Sequence, residues 1–137
     1  MREIIDHIVA GDLPQNQLRI EVMDEPGAGG ANHLYFIAIP GMEKNPSMKC
    51  SAHSFGDRQE FQEVLFQHGP IKEVGVNGIT HEALLAIVID RLRCFQAGPF
   101  PCRENQEALL SCCNALGWLK RRTHDRLVRG VEGETKP

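Results

Sequence analysis

The sequence has no long hydrophobic run. Residues 84–89 form a purely aliphatic run, which is far short of the roughly 20 residues that span a bilayer. The first residues, MREIIDHIVAGDLP, contain acidic side chains where a secretion signal needs an uninterrupted apolar segment. We therefore expect a protein that has no membrane partner and stays in the cytoplasm of the cell that makes it.

Regularly spaced cysteines are also absent. The chain has five cysteines, but it contains no CxxC pair and no histidines at ligand spacing. This argues against a disulfide scaffold and against a zinc site. We interpret the cysteines as small buried hydrophobic side chains. Cys112 and Cys113 point about 100° apart on a helix, so at least one of them should face a core.

Catalytic and cofactor patterns are missing as well. The six histidines are scattered, and no Ser/His/Asp or Cys/His set accompanies a supporting motif. The glycine-rich segment at residues 27–30 lacks the strand–GxGxxG–helix context of a phosphate cradle, so a mobile hairpin loop is the favoured interpretation. We expect no catalytic residue, no metal and no cofactor.

The first half of the chain shows the signals of β-structure. Residues 17–25 alternate apolar and polar side chains, which predicts a half-buried strand. Residues 33–39 and 60–67 favour two further strands, the first pairing with 17–25 across the glycine-rich loop. A short strand is predicted within 69–78, residues 2–10 form either a strand or a helical turn, and the polar segment 41–51 is a surface loop.

The second half has helical periodicity. Thr80 is the expected N-cap of a helix that ends near Phe95 and is buried on most sides. A second helix is predicted over residues 103–129, stopped by Gly130, with Trp118 at an interface or in a core. The fold class is therefore α+β, with an N-terminal antiparallel sheet followed by an antiparallel helical hairpin. We expect one domain over 1–137, comprising a β-rich part (1–79), the hairpin (80–130) and a frayed tail (131–137).

Positive charge is concentrated in the second helix. Residues 103–129 contain six basic and three acidic side chains, and the formal net charge of the chain is −3. The remaining residues therefore carry six net negative charges, which would repel DNA or RNA. A local basic patch in an acidic chain favours a compact anionic ligand over a nucleic acid.

Specific motifs surround the turn between the two helices. They include FQAGPF, the Asn of REN, the spaced Ala-Leu pairs and RTxxRxxRGVEG. In combination these motifs resemble the helical-hairpin domain shared by phage proteins that sequester immune signalling nucleotides. The β-rich start, with IEVMDEPGAGGANHLYFIA, is similar to the Thoeris anti-defence sponge branch rather than to the shorter anti-CBASS relative. The resemblance covers most of residues 17–133.

The resemblance implies binding without catalysis. Members of this branch capture cyclic ADP-ribose isomers (glycocyclic ADP-ribose) made by a host TIR-domain enzyme, in the host cytoplasm. It implies that the ligand-binding residues are Phe95, Asn105, Arg122 and Arg126. Some relatives form trimeric or hexameric assemblies, so we expect a homo-oligomer, either a homodimer or a hexamer. Whether cyclic oligonucleotides bind at a second site, for which Thr123 and Arg129 are candidates, stays open.

The spacing of these four residues has a consequence of its own. Arg122 and Arg126 are four residues apart, so their guanidinium groups project from one helix face and can bind a pyrophosphate. Phe95 offers a face for stacking a base, and Asn105 can donate and accept hydrogen bonds. However, Asn105 and Arg122 are about 25 Å apart along a helix. If all four contact one ligand, two chains must pack antiparallel.

Other functions remain open on the sequence alone. They are a nucleotide-degrading enzyme acting on the same signal, a helical-hairpin nucleic-acid binder and a dimerisation module without a ligand. The basic residues of the second helix would in the last case form a solvated face that complements the helix dipole.

Overall fold

The computed structural model describes residues 2–14, 17–50 and 61–134. The chain divides into two compact units, Met1–Phe66 and Gln67–Pro137. The first unit contains the β-strands, and the second contains the α-helices. In the described ranges, no helix has both the length and the apolar character that crossing a membrane requires.

The first unit is an antiparallel sheet of four strands. They are β1 (Arg2–Ile4), β2 (Arg19–Val22), β3 (Leu34–Ala38) and β4 (Phe61–Leu65), in the order β1-β2-β3-β4. The strands predicted at 17–25, 33–39 and 60–67 are confirmed, and the ambiguous start of the chain is a strand. Two short 3-10 turns, Met42–Lys44 and Pro46–Cys50, follow β3 in the segment predicted as a polar loop.

The glycine-rich loop between β2 and β3 is closed by its own hydrogen bonds. The Gly27 N–H donates to the Ala31 carbonyl at 2.8 Å, and the Gly30 N–H donates to the Gly27 carbonyl at 2.9 Å. At the base of the loop, the Asp24 carboxylate accepts hydrogen bonds from the backbone N–H groups of His33 and Leu34. Two of the backbone donors that a phosphate cradle would need are therefore already engaged.

The second unit is helical, and its first element differs from the sequence prediction. The short strand predicted within 69–78 is wrong, because this segment contains a one-turn helix, α1 (Ile71–Val74). Its bonds are local: the Val74 N–H donates to the Pro70 carbonyl at 3.0 Å and the Gly75 N–H to that of Ile71 at 2.9 Å. Gly75 ends the turn at a φ of +76°, a conformation that glycine adopts readily.

Two long helices form the antiparallel hairpin that the sequence predicts. They are α2 (His81–Ala97) and α3 (Arg103–Val128). Thr80 caps α2 as expected, since its hydroxyl accepts a hydrogen bond from the Ala83 N–H at 3.1 Å. Cys102 is the N-cap of α3, and its sulfur accepts from the Asn105 N–H at 3.4 Å. Gly130 ends α3 with a φ of +70°.

Burial is sparse in both units. Val22 and Ile89 are the fully buried apolar side chains among the described residues, with 2% and 3% of their surface exposed. The expectation that α2 is buried on most sides is therefore wrong for the isolated chain, because α3 covers one side only.

Cys94 and Cys102 are exposed, whereas Cys112 and Cys113 are half-buried. The interpretation of the cysteines as buried side chains is therefore wrong for Cys94 and Cys102.

Hydrogen bonds hold the segment of residues 131–134, which follows α3. Its backbone carbonyls accept hydrogen bonds from Arg126, and the Gly133 carbonyl accepts from the Lys72 N–H at 3.3 Å. The Lys72 ammonium also pairs with the Glu134 carboxylate at 3.1 Å. The expectation of a frayed tail is thus wrong for residues 131–134, and residues 135–137 lie outside the described residues.

Candidate functional site

The tip of the hairpin is held by one carboxamide. The Gln96 side chain accepts from the Cys102 N–H at 3.0 Å and donates to the Cys102 carbonyl at 3.0 Å and to the Gln106 oxygen at 3.3 Å. Gly98 leaves little room for a side chain in the same turn, because a Cβ there would lie 3.2 Å from the Cys94 carbonyl oxygen. These contacts fix the end of α2 against the start of α3.

Phe95 lies on the last turn of α2 with 49% of its surface exposed. The Arg91 guanidinium is 5.5 Å from the centre of its ring. The ring borders an open groove of about 480 Å³, and Phe100, which is 81% exposed, lies on the same groove. The other lining residues are Asp90, Arg91, Cys94, Gly98 and Pro99. An exposed aromatic face beside a groove of this size can accept a nucleobase.

Asn105 lies in the first turn of α3, at the same tip, and is half-buried. Its backbone N–H donates to the Cys102 sulfur, so Cys102 rather than the Asn105 side chain starts the helix. Within the described residues, the Asn105 carboxamide makes no hydrogen bond, and it can therefore both donate to and accept from a ligand.

The basic residues lie at the opposite end of the hairpin. The Thr123 hydroxyl donates to the Glu82 carboxylate at 3.4 Å, which places the last turns of α3 beside the first turn of α2. Since α3 is continuous over 26 residues, Asn105 and Arg122 are about 25 Å apart along its axis. The structure thus places Phe95 and Asn105 at the same end of the hairpin, and separates both of them from Arg122 and Arg126.

Arg122 and Arg126 differ in how they are engaged. Arg122 is exposed, and among the described residues it makes no hydrogen bond or ion pair. Arg126 is half-buried: its Nε donates to the Glu132 carboxylate at 3.0 Å, and its Nη2 donates to the carbonyls of Val131 and Glu134 at 2.9 and 2.8 Å. The sequence predicts that the two arginines are equivalent, whereas in the structure they differ in exposure and in their hydrogen bonds.

The sequence analysis does not predict the roles of three residues of the site. Gln96 lies inside the FQAGPF motif, where its position before a glycine-proline turn was a signal for a structural role. Glu132 lies inside RGVEG, and its pairing with Arg126 depends on the chain reversal at Gly130. Phe100 carries no sequence signal beyond its place in the same motif.

Large apolar side chains are exposed along both helices. Ile87 on α2 and Trp118 and Leu127 on α3 have about three fifths of their surface exposed, so Trp118 is not a core residue of the single chain. The Arg121 guanidinium lies 5.6 Å from the Trp118 ring centre.

Among the described residues, no three His, Cys, Asp or Glu side chains are gathered around a point where a metal ion could bind.

Two comparisons with known proteins bear on this site. The family model described as Acb2/Tad1, hairpin domain, matches residues 58–124. The chain is also 51% identical over 70 residues to "Thoeris anti-defense 1" of Bacillus phage SBSphiJ7. That alignment covers 51% of this chain and 49% of the relative, so the chain matches about half the length of this relative.

Proposed function

Since the chain matches the Acb2/Tad1 hairpin domain and a Thoeris anti-defence relative, we propose that it belongs to the Thoeris anti-defence family and is a phage anti-defence protein that binds an immune signal of the cyclic ADP-ribose type. The signal is a glycocyclic ADP-ribose made by a host TIR-domain enzyme, and the protein holds it without cleaving it. Sequestration in the host cytoplasm deprives the downstream effector of its activator.

The separation of Phe95 from Arg122 is the observation that carries this proposal. One compact ligand cannot reach both ends of a hairpin about 25 Å long. Two hairpins packed antiparallel bring the tip of one chain to the basic end of the other. A two-fold homodimer of this kind contains two equivalent sites, and it covers apolar side chains that the single chain leaves exposed, such as Trp118.

Each part of such a site has a defined role. The Arg122 guanidinium of one chain binds phosphate oxygens through its planar set of donors. The Phe95 ring of the other chain stacks on the adenine, and the Asn105 carboxamide contacts a base edge or a ribose hydroxyl. Enclosure between two chains excludes water, which strengthens the charged hydrogen bonds.

The proposal is tested by isothermal titration of the purified protein with a cyclic ADP-ribose isomer. We expect saturable binding, followed by recovery of the unmodified nucleotide after the complex is denatured. Mass spectrometry of the recovered material separates the alternatives: a hydrolysed product identifies a nucleotide-degrading enzyme. Binding to DNA or RNA with a steep salt dependence, and none to the cyclic nucleotide, identifies a nucleic-acid binder.

Cyclic oligonucleotides of the CBASS type are a second ligand class for the same assay. Thr123 and Arg129, at the basic end of α3, are the candidates for holding them. Competition between the two ligand classes distinguishes one shared site from two separate sites, because ligands at separate sites do not displace each other.

A further inference from the structure

Arg126 already holds a carboxylate of its own chain. Its Nε–H donates to the Glu132 carboxylate at 3.0 Å, on the side of the guanidinium that can also bind a phosphate. We propose that Glu132 occupies a phosphate subsite at Arg126, and that the pyrophosphate of the bound nucleotide exchanges with this carboxylate. The inference rests on the proposed function and adds an internal competitor to its binding site.

The turn after α3 places the Glu132 carboxylate beside Arg126. Gly130 reverses the chain at a φ of +70°, and the Val131 N–H donates back to the Arg126 carbonyl at 3.0 Å. Arg126 then reaches Glu132 two residues beyond the turn. The contact is therefore made by the local fold of the segment, and it is present before any ligand arrives.

Exchange of Glu132 does not require the segment to detach. The Arg126 Nη2 holds the backbone carbonyls of Val131 and Glu134 independently of the Glu132 side chain. On its other side the segment is held by Lys72, which pairs with the Glu134 carboxylate and donates to the Gly133 carbonyl. The Glu132 carboxylate is about a third exposed, so it can rotate into water while the backbone stays in place.

The exchange makes the site selective for ligands with two adjacent phosphates. Arg122 lies one helical turn before Arg126 and is exposed, so it can take the first phosphate without displacing any group. A second phosphate on the same ligand that binds the Arg126 Nε–H displaces Glu132 from it. A pyrophosphate meets both guanidinium groups, whereas a single phosphate is satisfied by Arg122 alone.

The direct test is the substitution Glu132→Gln in the full-length protein, titrated with a cyclic ADP-ribose isomer. Glutamine keeps the size and an acceptor oxygen for Arg126 but removes the competing charge. We expect binding about two- to fivefold tighter than in the unchanged protein, the range that corresponds to losing one partly exposed ion pair. Unchanged or weaker binding would overturn the exchange.

The matched control is Glu134→Gln. It removes the same charge two residues away, from a carboxylate that pairs with Lys72. We expect Glu134→Gln to change the affinity by less than Glu132→Gln does. An equal gain in both variants would show a general electrostatic effect and would contradict a specific role for Glu132.

A second measurement does not depend on the nucleotide. The Arg126 Nε–H signal is followed by NMR while inorganic pyrophosphate is added to each protein. Exchange predicts that the signal moves, and at lower pyrophosphate concentration in Glu132→Gln. A signal that stays in place in both proteins overturns the inference. Absence of cyclic ADP-ribose binding, with the signal still moving, would instead reject the proposed function.

Discussion

Of the two arginines, Arg122 is the one that is open to a ligand in the unbound chain. Its side chain is exposed, whereas Arg126 is engaged by the Glu132 carboxylate and two backbone carbonyls. A charged hydrogen bond to a phosphate contributes about 1.5–3 kcal/mol. The larger share of the phosphate-binding energy should therefore come from Arg122.

We accordingly expect Arg122→Ala to weaken binding of a cyclic ADP-ribose isomer by about ten- to hundredfold in isothermal titration, since it removes a charged phosphate contact. Arg121→Ala is the matched control, because it removes the same charge one residue earlier, where the side chain lies over Trp118. Equal losses in the two variants would mean that the general positive potential of α3, and not the Arg122 contact, governs binding.

Asp24 makes the sheet unit sensitive to acid. Burial of its carboxyl group acts in the opposite direction, but the backbone N–H groups of Leu34 and His33 and the nearby His33 ring hold the pKa of Asp24 below its ordinary 3.8. A lowered pKa means that the ionised form stabilises the folded state. That contribution is complete above the unfolded-state pKa and is lost as the pH falls through the folded-state value.

We therefore expect the stability of the sheet unit to fall as the pH is lowered below about 4, because Asp24 then becomes protonated. Urea unfolding followed at a series of pH values measures this. In Asp24→Asn the acid-dependent loss should be smaller, since no charge remains to titrate at this position. A pH profile identical to that of the unchanged protein would exclude Asp24 as the cause.

At the scale of elements, the hairpin depends on the Gln96 clamp. The Gln96 carboxamide makes three hydrogen bonds across the turn, and it fixes the helix ends that carry Phe95 and Asn105. Gln96→Ala should lower the free energy of unfolding by about 1–2 kcal/mol. For a unit of this size, that corresponds to a melting temperature lower by roughly 4–16 °C.

Ligand affinity should fall in Gln96→Ala as well, because the tip residues lose their fixed positions. Gln106→Ala is the control, since it removes one of the three hydrogen bonds and leaves the two to Cys102. A thermal melt and a titration of both variants check this. Equal melting temperatures for Gln96→Ala and the unchanged protein would show that the clamp does not hold the tip.

Most elements could be predicted because their signals are local. Thr80 before an apolar periodic run predicts the start of α2, and Gly130 predicts the end of α3. The failure at residues 71–74 is also understandable, since four residues, of which only Ile71 and Val74 are apolar, are too few to show whether the period is that of a strand or of a helical turn. Burial of α2 could not be read from its composition, because an apolar helix can be covered by another chain as well as by its own.

The places of the candidate site residues in the fold could be predicted from the sequence, but their contacts could not. The motifs point to Phe95 and Arg122, whose ligand-binding role stays a prediction, and the helical rise places them at opposite ends of the hairpin. The Arg126–Glu132 pair was not predictable, because it requires the chain reversal after α3. No periodic pattern encodes such a reversal, and the segment's polar composition suggested fraying instead.

At the scale of the whole molecule, the isolated chain buries few apolar side chains completely. In the described part of the chain, Ile89 is the fully buried residue of the helical unit, while Ile87, Trp118 and Leu127 remain exposed. Exposed large apolar side chains on neighbouring helices commonly mark a surface that another protein covers. A second copy packed antiparallel would cover such a surface and complete the ligand site at the same time.

The central claim is that each ligand site takes Phe95 from one chain and Arg122 from the other. Phe95→Ala and Arg122→Ala chains, carrying different tags, are co-expressed, and the heterodimer is purified and titrated with a cyclic ADP-ribose isomer. One site of the heterodimer combines both substitutions and the other has neither, so the account predicts about one working site per heterodimer, with neither homodimer binding well. A heterodimer that binds no better than the two homodimers would contradict it.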